Sequence, residues 1–347
     1  MTNRNSFIDI LKLILAFIVI SYHFEIGIGG GYLAVEAFFM ISGYFMMQTA
    51  TKTINKNLDD FNIGESTLNF IKHKFFPLLH YIIPSAILGF ILYIWINPRT
   101  PLTLLYDFSL LFFEIVPLQN AGYSGFFSTG VMWYVSSLFI SSLILYPLCL
   151  KFNKSFALSV CPILSIMLYG LLCHNLHCLD APDTWLFNIV SSGLIRGLAG
   201  ISAGCFMYEI IANNSNNDHS LSKAITVSIL ELSGYLLLFF IMLQLHHSPY
   251  DFLAVFLIFG LLYIGFTRSS LITGKISFKC SRILADYSLA IYLNHFYWRR
   301  MIETFLSHLD RKNQILIFFT LTLLTAAIIY LIANFTKQLI ETSKINV

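Results

Sequence analysis

The sequence predicts an all-α integral membrane protein of about ten transmembrane helices with both termini in the cytoplasm. Three observations predict it. Of the 347 residues, 57% are hydrophobic and only 11% charged, and the mean hydropathy is +0.73; an ordinary soluble domain carries roughly 25% charged residues. Apolar runs near the ~20 residues that cross a hydrocarbon core recur ten times along the chain. With the N-terminus inside, fourteen Lys and Arg fall in inner segments and five in outer ones, which leaves Lys12 and Arg196 within the membrane. Such a bias is what cytoplasmic loops show.

In chain order, the spans are expected at 7–24, 32–49, 75–96, 132–150, 156–173, 188–210, 224–245, 251–267, 284–304 and 314–337. Arg4 precedes the first run as it would in a secretory signal, but Asp9 and Lys12 interrupt the run and no small-residue cleavage site follows. It is therefore read as an uncleaved helix. The run 102–118 is apolar as well, but Asp107, Glu114 and Pro117 break it. It is expected to be re-entrant or interfacial, because an eleventh span would invert everything downstream. The polar stretches 51–74 and 213–223 are short connectors on the inner side, the second with an Asn-rich NNSNND core. One multi-span unit over 1–347 is expected, without an appended soluble domain, an internal repeat or a nucleic-acid partner.

The first helix carries the most information. Asp9, Lys12 and His23 lie in a run that otherwise belongs in lipid, and a Lys or Asp at a helix centre costs about 2.5–3.5 kcal/mol on insertion scales. Such groups usually face a protein interior or an aqueous cavity. Lys12 and His23 are eleven residues apart, so they differ by roughly 20° in azimuth, with Asp9 and Ala16 near the same stripe. One face thus gathers the polar atoms, and the two ends of the stripe stand about 16 Å apart along the axis.

These residues carry a resemblance. RNSFIDILKLILAFIVISYHF, with Arg4, Asp9, Lys12, Ala16 and His23, followed by GGGYLAVEAFFMISGYFM from Gly29 to Met46, resembles the opening of the membrane-bound acyltransferase-3 family. Downstream, MWYVSSLFISSLILYP (Met132 to Pro147), LIRGLAGISAGCFMY (Leu194 to Tyr208) and YSLAIYLNH (Tyr287 to His295) resemble further family segments in order. The first match is the specific one, since the others are short and apolar.

The resemblance implies a single acyltransferase domain in a bacterial plasma membrane. It implies transfer of an acyl group, most often acetyl, from a cytoplasmic coenzyme A thioester to a hydroxyl of an extracytoplasmic glycan or lipid-linked sugar. Acetyl-CoA or another acyl-CoA would be a donor substrate, with no permanently bound cofactor and no metal. Proteins of polysaccharide synthesis would be further partners. The family's signature, a basic residue and then His after ten intervening positions, is Lys12 and His23 here. Many members have Arg at the first position, and Lys keeps its charge but loses the planar bidentate fork.

The chemistry fits this helix on its own terms. Acyl transfer to a hydroxyl needs a base within reach of the proton, and imidazole has the pKa for it at neutral pH. His23, toward the outer end, is the candidate base, or the carrier of a covalent acyl group. Lys12, toward the inner end, is placed to steer an anionic donor, with Asp9 as its neighbour at i−3. Glu36 is a candidate to orient the imidazole, although it could equally face outer water. Ser42, beside Gly43, offers a small hydroxyl at a close helix approach. Arg196 needs an anionic partner, either Glu36 or a ligand. His295, after Asn294, is either a second imidazole of the site or a buried structural group.

Other features have plainer readings. The glycines Gly27, Gly29, Gly30 and Gly31 suit a tight loop between helices or a close approach to ligand. Trp133, Trp185 and Trp298 fall where an aromatic belt would put them. His246 and His247 read as solvent-facing. Cys173, His174, His177 and Cys178 leave metal, disulfide or neither open. Two other function classes compete with the enzyme. A polysaccharide exporter or flippase would need an aqueous path wide enough for sugars, and a receptor or assembly factor would give Lys12, His23 and Arg196 no purpose.

Overall fold

The computed structural model describes residues 5–56, 62–123, 129–214, 220–278 and 280–345. Its long elements are helices: α1 (Ser6–His23), α2 (Ala34–Lys56), α3 (Ile63–Ile96), α4 (Pro101–Ile115), α5 (Met132–Ser155), α6 (Cys161–Leu176), α7 (Ser192–Asn213), α8 (Leu221–Phe240), α9 (Tyr250–Thr267), the short α10 (Leu271–Lys275), α11 (Ser281–Phe305) and α12 (Arg311–Ile345). A two-residue hairpin, β1 (Trp185–Leu186) against β2 (Val190–Ser191), pairs Trp185 with Ser191 in antiparallel register.

Eight stretches among the described residues are long and apolar enough to cross a membrane, so the chain is a multi-pass membrane protein. Two causes separate eight from the ten expected. The stretch Met132–Leu176 counts once, yet it holds both α5 and α6, which part at Asn153 (φ 42°, ψ −122°) and a π-helical turn, Phe156–Val160. Helix α11 has the length but carries Asp286, Asn294, His295, Arg299 and Arg300, which lowers its apolarity below that of a lipid-facing span. Helix α4, at 15 residues, is about 22 Å long and too short for a ~30 Å core. It folds back along α3, where Phe108 meets Phe90 and Leu111 joins a small core with Ala86 and Phe90.

Two packing relationships position the site. Helices α1 and α11 run parallel. The Phe278 amide donates to Ser6 Oγ at 3.1 Å, and Ser281 Oγ donates to Asp9 Oδ2 at 2.8 Å, both across 272 residues of sequence. The same offset brings His23 opposite His295. Helix α2 meets α7 backbone to backbone: a Cβ on Gly43 would collide with the Ile201 carbonyl, and one on Gly204 with the Met40 carbonyl. Only glycine permits that approach, the small-residue packing expected where helices associate within lipid.

Candidate active site

Helix α1 is capped by Asn5, whose side-chain oxygen accepts from the Ile8 amide at 3.4 Å, and ends at His23. The His23 ring lies with its centroid 5.0 Å from that of His295 and 5.6 Å from that of Phe296, the latter edge-on. His23 is partly exposed, whereas His295 is fully buried. The Nδ1 of His295 lies 2.7 Å from the Tyr292 carbonyl oxygen, which can only accept, so Nδ1 carries the proton and Nε2 of the neutral ring is a lone pair. That Nε2 has no hydrogen-bond partner among the described residues. A buried nitrogen of this kind is costly to leave unpaired, and it is available to a ligand.

Below the imidazoles is a cavity of about 360 Å³, lined among others by Lys12, Ser42, Lys74, Tyr134, Asp286 and Tyr292. Tyr292 joins the two regions: its ring centroid is 5.9 Å from that of His295 and 5.7 Å from that of Tyr134. The Nζ of Lys12 lies 5.3 Å over the Phe45 ring, and Ser42 Oγ donates to the Phe38 carbonyl at 2.8 Å. Lys12 and Ser42 therefore line one cavity with Tyr292, whose ring in turn meets that of His295. Asp9 sits lower, buried against Ser281.

Glu36 is placed elsewhere than the orienting position expected for it. It enters on the first turn of α2, after a 3₁₀ turn over Gly31–Leu33 has redirected the chain. One of its oxygens accepts from Arg196 Nε at 2.7 Å and lies 2.7 Å from Nη2; the other accepts from the Tyr169 hydroxyl. Arg196 Nη2 also donates to the Tyr32 carbonyl at 3.3 Å, and its guanidinium lies 5.0 Å over Trp133. Glu36 and Arg196 are both buried, which ties α2, α6 and α7 together. Of Arg196's two anticipated partners the chain supplies the carboxylate.

The structure thus brings His23 and His295 together, places Lys12 and Ser42 on one cavity, and keeps Asp9 and the Glu36–Arg196 pair outside the pair of rings. Sequence reading missed Lys74, Asp286, Tyr134 and Tyr292. Tyr292 was findable, being three residues before His295 on one helix face. Trp133 is a buried neighbour of Arg196 rather than a belt residue. His247 is not simply solvated: its Nε2 lies 2.7 Å from Asp180 Oδ2, which also accepts from the Tyr22 hydroxyl at 2.5 Å. Cys173 and Cys178 are free thiols.

A family model described as an acyltransferase domain, that of the acyltransferase 3 family, matches residues 5–334. No curated protein and no solved structure matches the chain.

Proposed function

The chain belongs to the acyltransferase 3 family and is an acyltransferase enzyme; on that premise we propose that it is a membrane O-acyltransferase. The reading is that it moves an acetyl or other acyl group from cytoplasmic acyl-CoA to a hydroxyl of an extracytoplasmic or lipid-linked glycan, in a bacterial plasma membrane. The distribution of Lys and Arg supports an orientation with the His23 end outside and the Asn5 end inside.

The observation that carries the reading is the His23–His295 pair, which Tyr292 joins to a cavity that Lys12 and Lys74 line. The anionic coenzyme approaches from the end where these two cations stand, and their charge raises its local concentration. The acyl end reaches past Tyr292 toward the imidazoles. His23 takes the proton of the acceptor hydroxyl as its oxygen bonds to the thioester carbonyl carbon. The tetrahedral intermediate then expels the coenzyme A thiolate as the C–S bond breaks, and the proton on His23 passes to that sulfur. His295, its tautomer fixed by the Tyr292 carbonyl, offers Nε2 as a hydrogen-bond acceptor and so stabilises the imidazolium while it lasts.

The test is glycan acylation, read by mass spectrometry of surface polysaccharide from cells that carry the wild-type chain or His23→Ala at matched membrane abundance. Acyl groups disappear in the variant. Unchanged acylation with altered amounts of polymer would instead make export the function.

A further inference from the structure

A second pocket, of about 420 Å³, opens at the His23 end between the segment after α4, the hairpin loop and α11. From its lining we propose that it is the acceptor subsite and holds one pyranose ring of the glycan, stacked on Trp185 and hydrogen-bonded by Asp183, Gln119 and Arg300. This deepens the acyltransferase reading and rests on it.

Three observations carry the assignment. The first is chemical. A pyranose has an apolar C–H face and an edge of hydroxyls, so its site needs a flat aromatic surface rimmed by groups that both donate and accept. Trp185, Tyr123 and Phe296 supply the surface; Asp183 accepts, Arg300 donates and Gln119 does both. Gln119 Nε2 already reaches Asp183 Oδ1 at 3.4 Å, a long contact that an inserted hydroxyl can bridge.

The second is local. Trp185 is 42% exposed, and Gly122, at φ +93°, takes the indole edge against its backbone, where a Cβ would lie 3.3 Å from the ring. A belt tryptophan would have lipid and headgroups around it. This one has a carboxylate, an amide and a guanidinium across the same pocket, and the side chains of opposite charge suit a neutral sugar better than an anionic one.

The third is position. Phe296 forms a wall of the pocket, and its ring meets His23 edge-on at 5.6 Å. The Arg300 guanidinium lies 4.8 Å over that ring. Gly130, at φ +68°, is the residue whose missing side chain lets Phe296 sit there, since a Cβ would overlap the ring. A single aromatic ring therefore separates the pocket from the candidate base, and a hydroxyl on the bound sugar that passes its edge comes within reach of the imidazole.

The test uses the full chain in proteoliposomes with radiolabelled acetyl-CoA and, as acceptor, chemically de-acylated surface polysaccharide from the source cells. A parallel arm uses the lipid-linked saccharide extracted from the same cells, and label entering either identifies the source of the ring. Trp185→Ala and Asp183→Asn should each raise the acceptor KM about tenfold or more, with the KM for acetyl-CoA little altered, and Trp185→Phe should restore most of the loss. Saccharide binding is read independently by indole fluorescence: de-acylated fragments should shift the wild-type signal and leave Trp185→Phe unshifted. A wild type that binds fragments but transfers no label overturns the acyltransferase reading and keeps the pocket. Unchanged acceptor KM in both variants, or a fluorescence shift that persists in Trp185→Phe, overturns the pocket.

Discussion

Replacing Glu36 by Ala strands a guanidinium in a place closed to solvent. Arg196 is 1% exposed and Glu36 0%, and Nε and Nη2 of Arg196 both lie 2.7 Å from the same carboxylate oxygen. Removing one partner of so enclosed a pair costs about 3–5 kcal/mol, a large part of a total stability of about 5–15 kcal/mol. Replacing both residues together, Glu36→Met with Arg196→Met, removes the stranded charge as well as the bond. The double variant should therefore be more stable than Glu36→Met alone, with a coupling of about 1–3 kcal/mol in the double-mutant cycle of Glu36→Met and Arg196→Met. The assay is denaturant unfolding of the chain in lipid nanodiscs, paired with acyl transfer per folded molecule. Both carboxylate oxygens are engaged by Arg196 and Tyr169, so Glu36→Gln should hold transfer per folded molecule within about tenfold of wild type. His23→Ala should lower it by about 10²–10⁴. A folded, stable Glu36→Gln protein as inactive as His23→Ala would refute the separation of this pair from the chemistry. Additive single variants would refute the pairing itself.

Four further outcomes are expected. Gly43→Ala forces α2 away from the Ile201 carbonyl of α7 and should destabilise by about 1–3 kcal/mol, seen as a lower unfolding midpoint; an unchanged midpoint would mean that the helices do not approach so closely. Lys12→Gln should raise the KM for acetyl-CoA several-fold and flatten its dependence on ionic strength, and a salt profile like that of wild type would remove Lys12 from donor steering. Cys280 is exposed beyond the Asn5 end, before α11, so in a Cys173→Ser/Cys178→Ser background a membrane-impermeant maleimide should label it in broken cells and spare it in intact ones; labelling of intact cells would invert the proposed orientation. If His23 holds the acyl group covalently, the protein should exchange labelled coenzyme A into acetyl-CoA without acceptor, and no exchange means direct transfer.

What the sequence made legible follows from cost. An ionisable side chain inside an apolar run is expensive wherever it faces, so Lys12, His23 and Arg196 stand out without any structure, and eight membrane-length stretches follow from hydropathy, α11 excepted. Glu36 shows where that logic stops. Its closeness to His23 in sequence suggested a contact, but the 3₁₀ turn at Gly31–Leu33 rotates α2 so that its first turn faces α6 and α7. The azimuth of a helix after a turn depends on that turn's dihedrals, and a pattern of residue types does not encode them. Trp133 was misjudged for a similar reason, because its neighbour Arg196 comes from α7 and meets it only through the fold.

The pairing of His23 with His295 is the sharpest case, because neither residue alone specifies it. Each helix has its own stripe, but their contact depends on how far one helix slides along the other. That register is pinned at the opposite end, where the Phe278 amide bonds Ser6 Oγ and Ser281 Oγ bonds Asp9. With both helices rising 1.5 Å per residue, a register fixed at those bonds carries unchanged to His23 and His295, fourteen residues further along each chain. A slip of one residue between α1 and α11 would turn each ring about 100° relative to its partner and remove the pair. On the proposed reading Asp9 would act at a distance, its bond to Ser281 helping to set whether the imidazoles meet. Ser281→Ala should therefore lower the rate of transfer while leaving the KM for acetyl-CoA near its wild-type value, and Ser281→Thr, which keeps the hydroxyl, should restore the rate. A Ser281→Ala enzyme with full turnover would show that packing along the two helices holds the register without that bond.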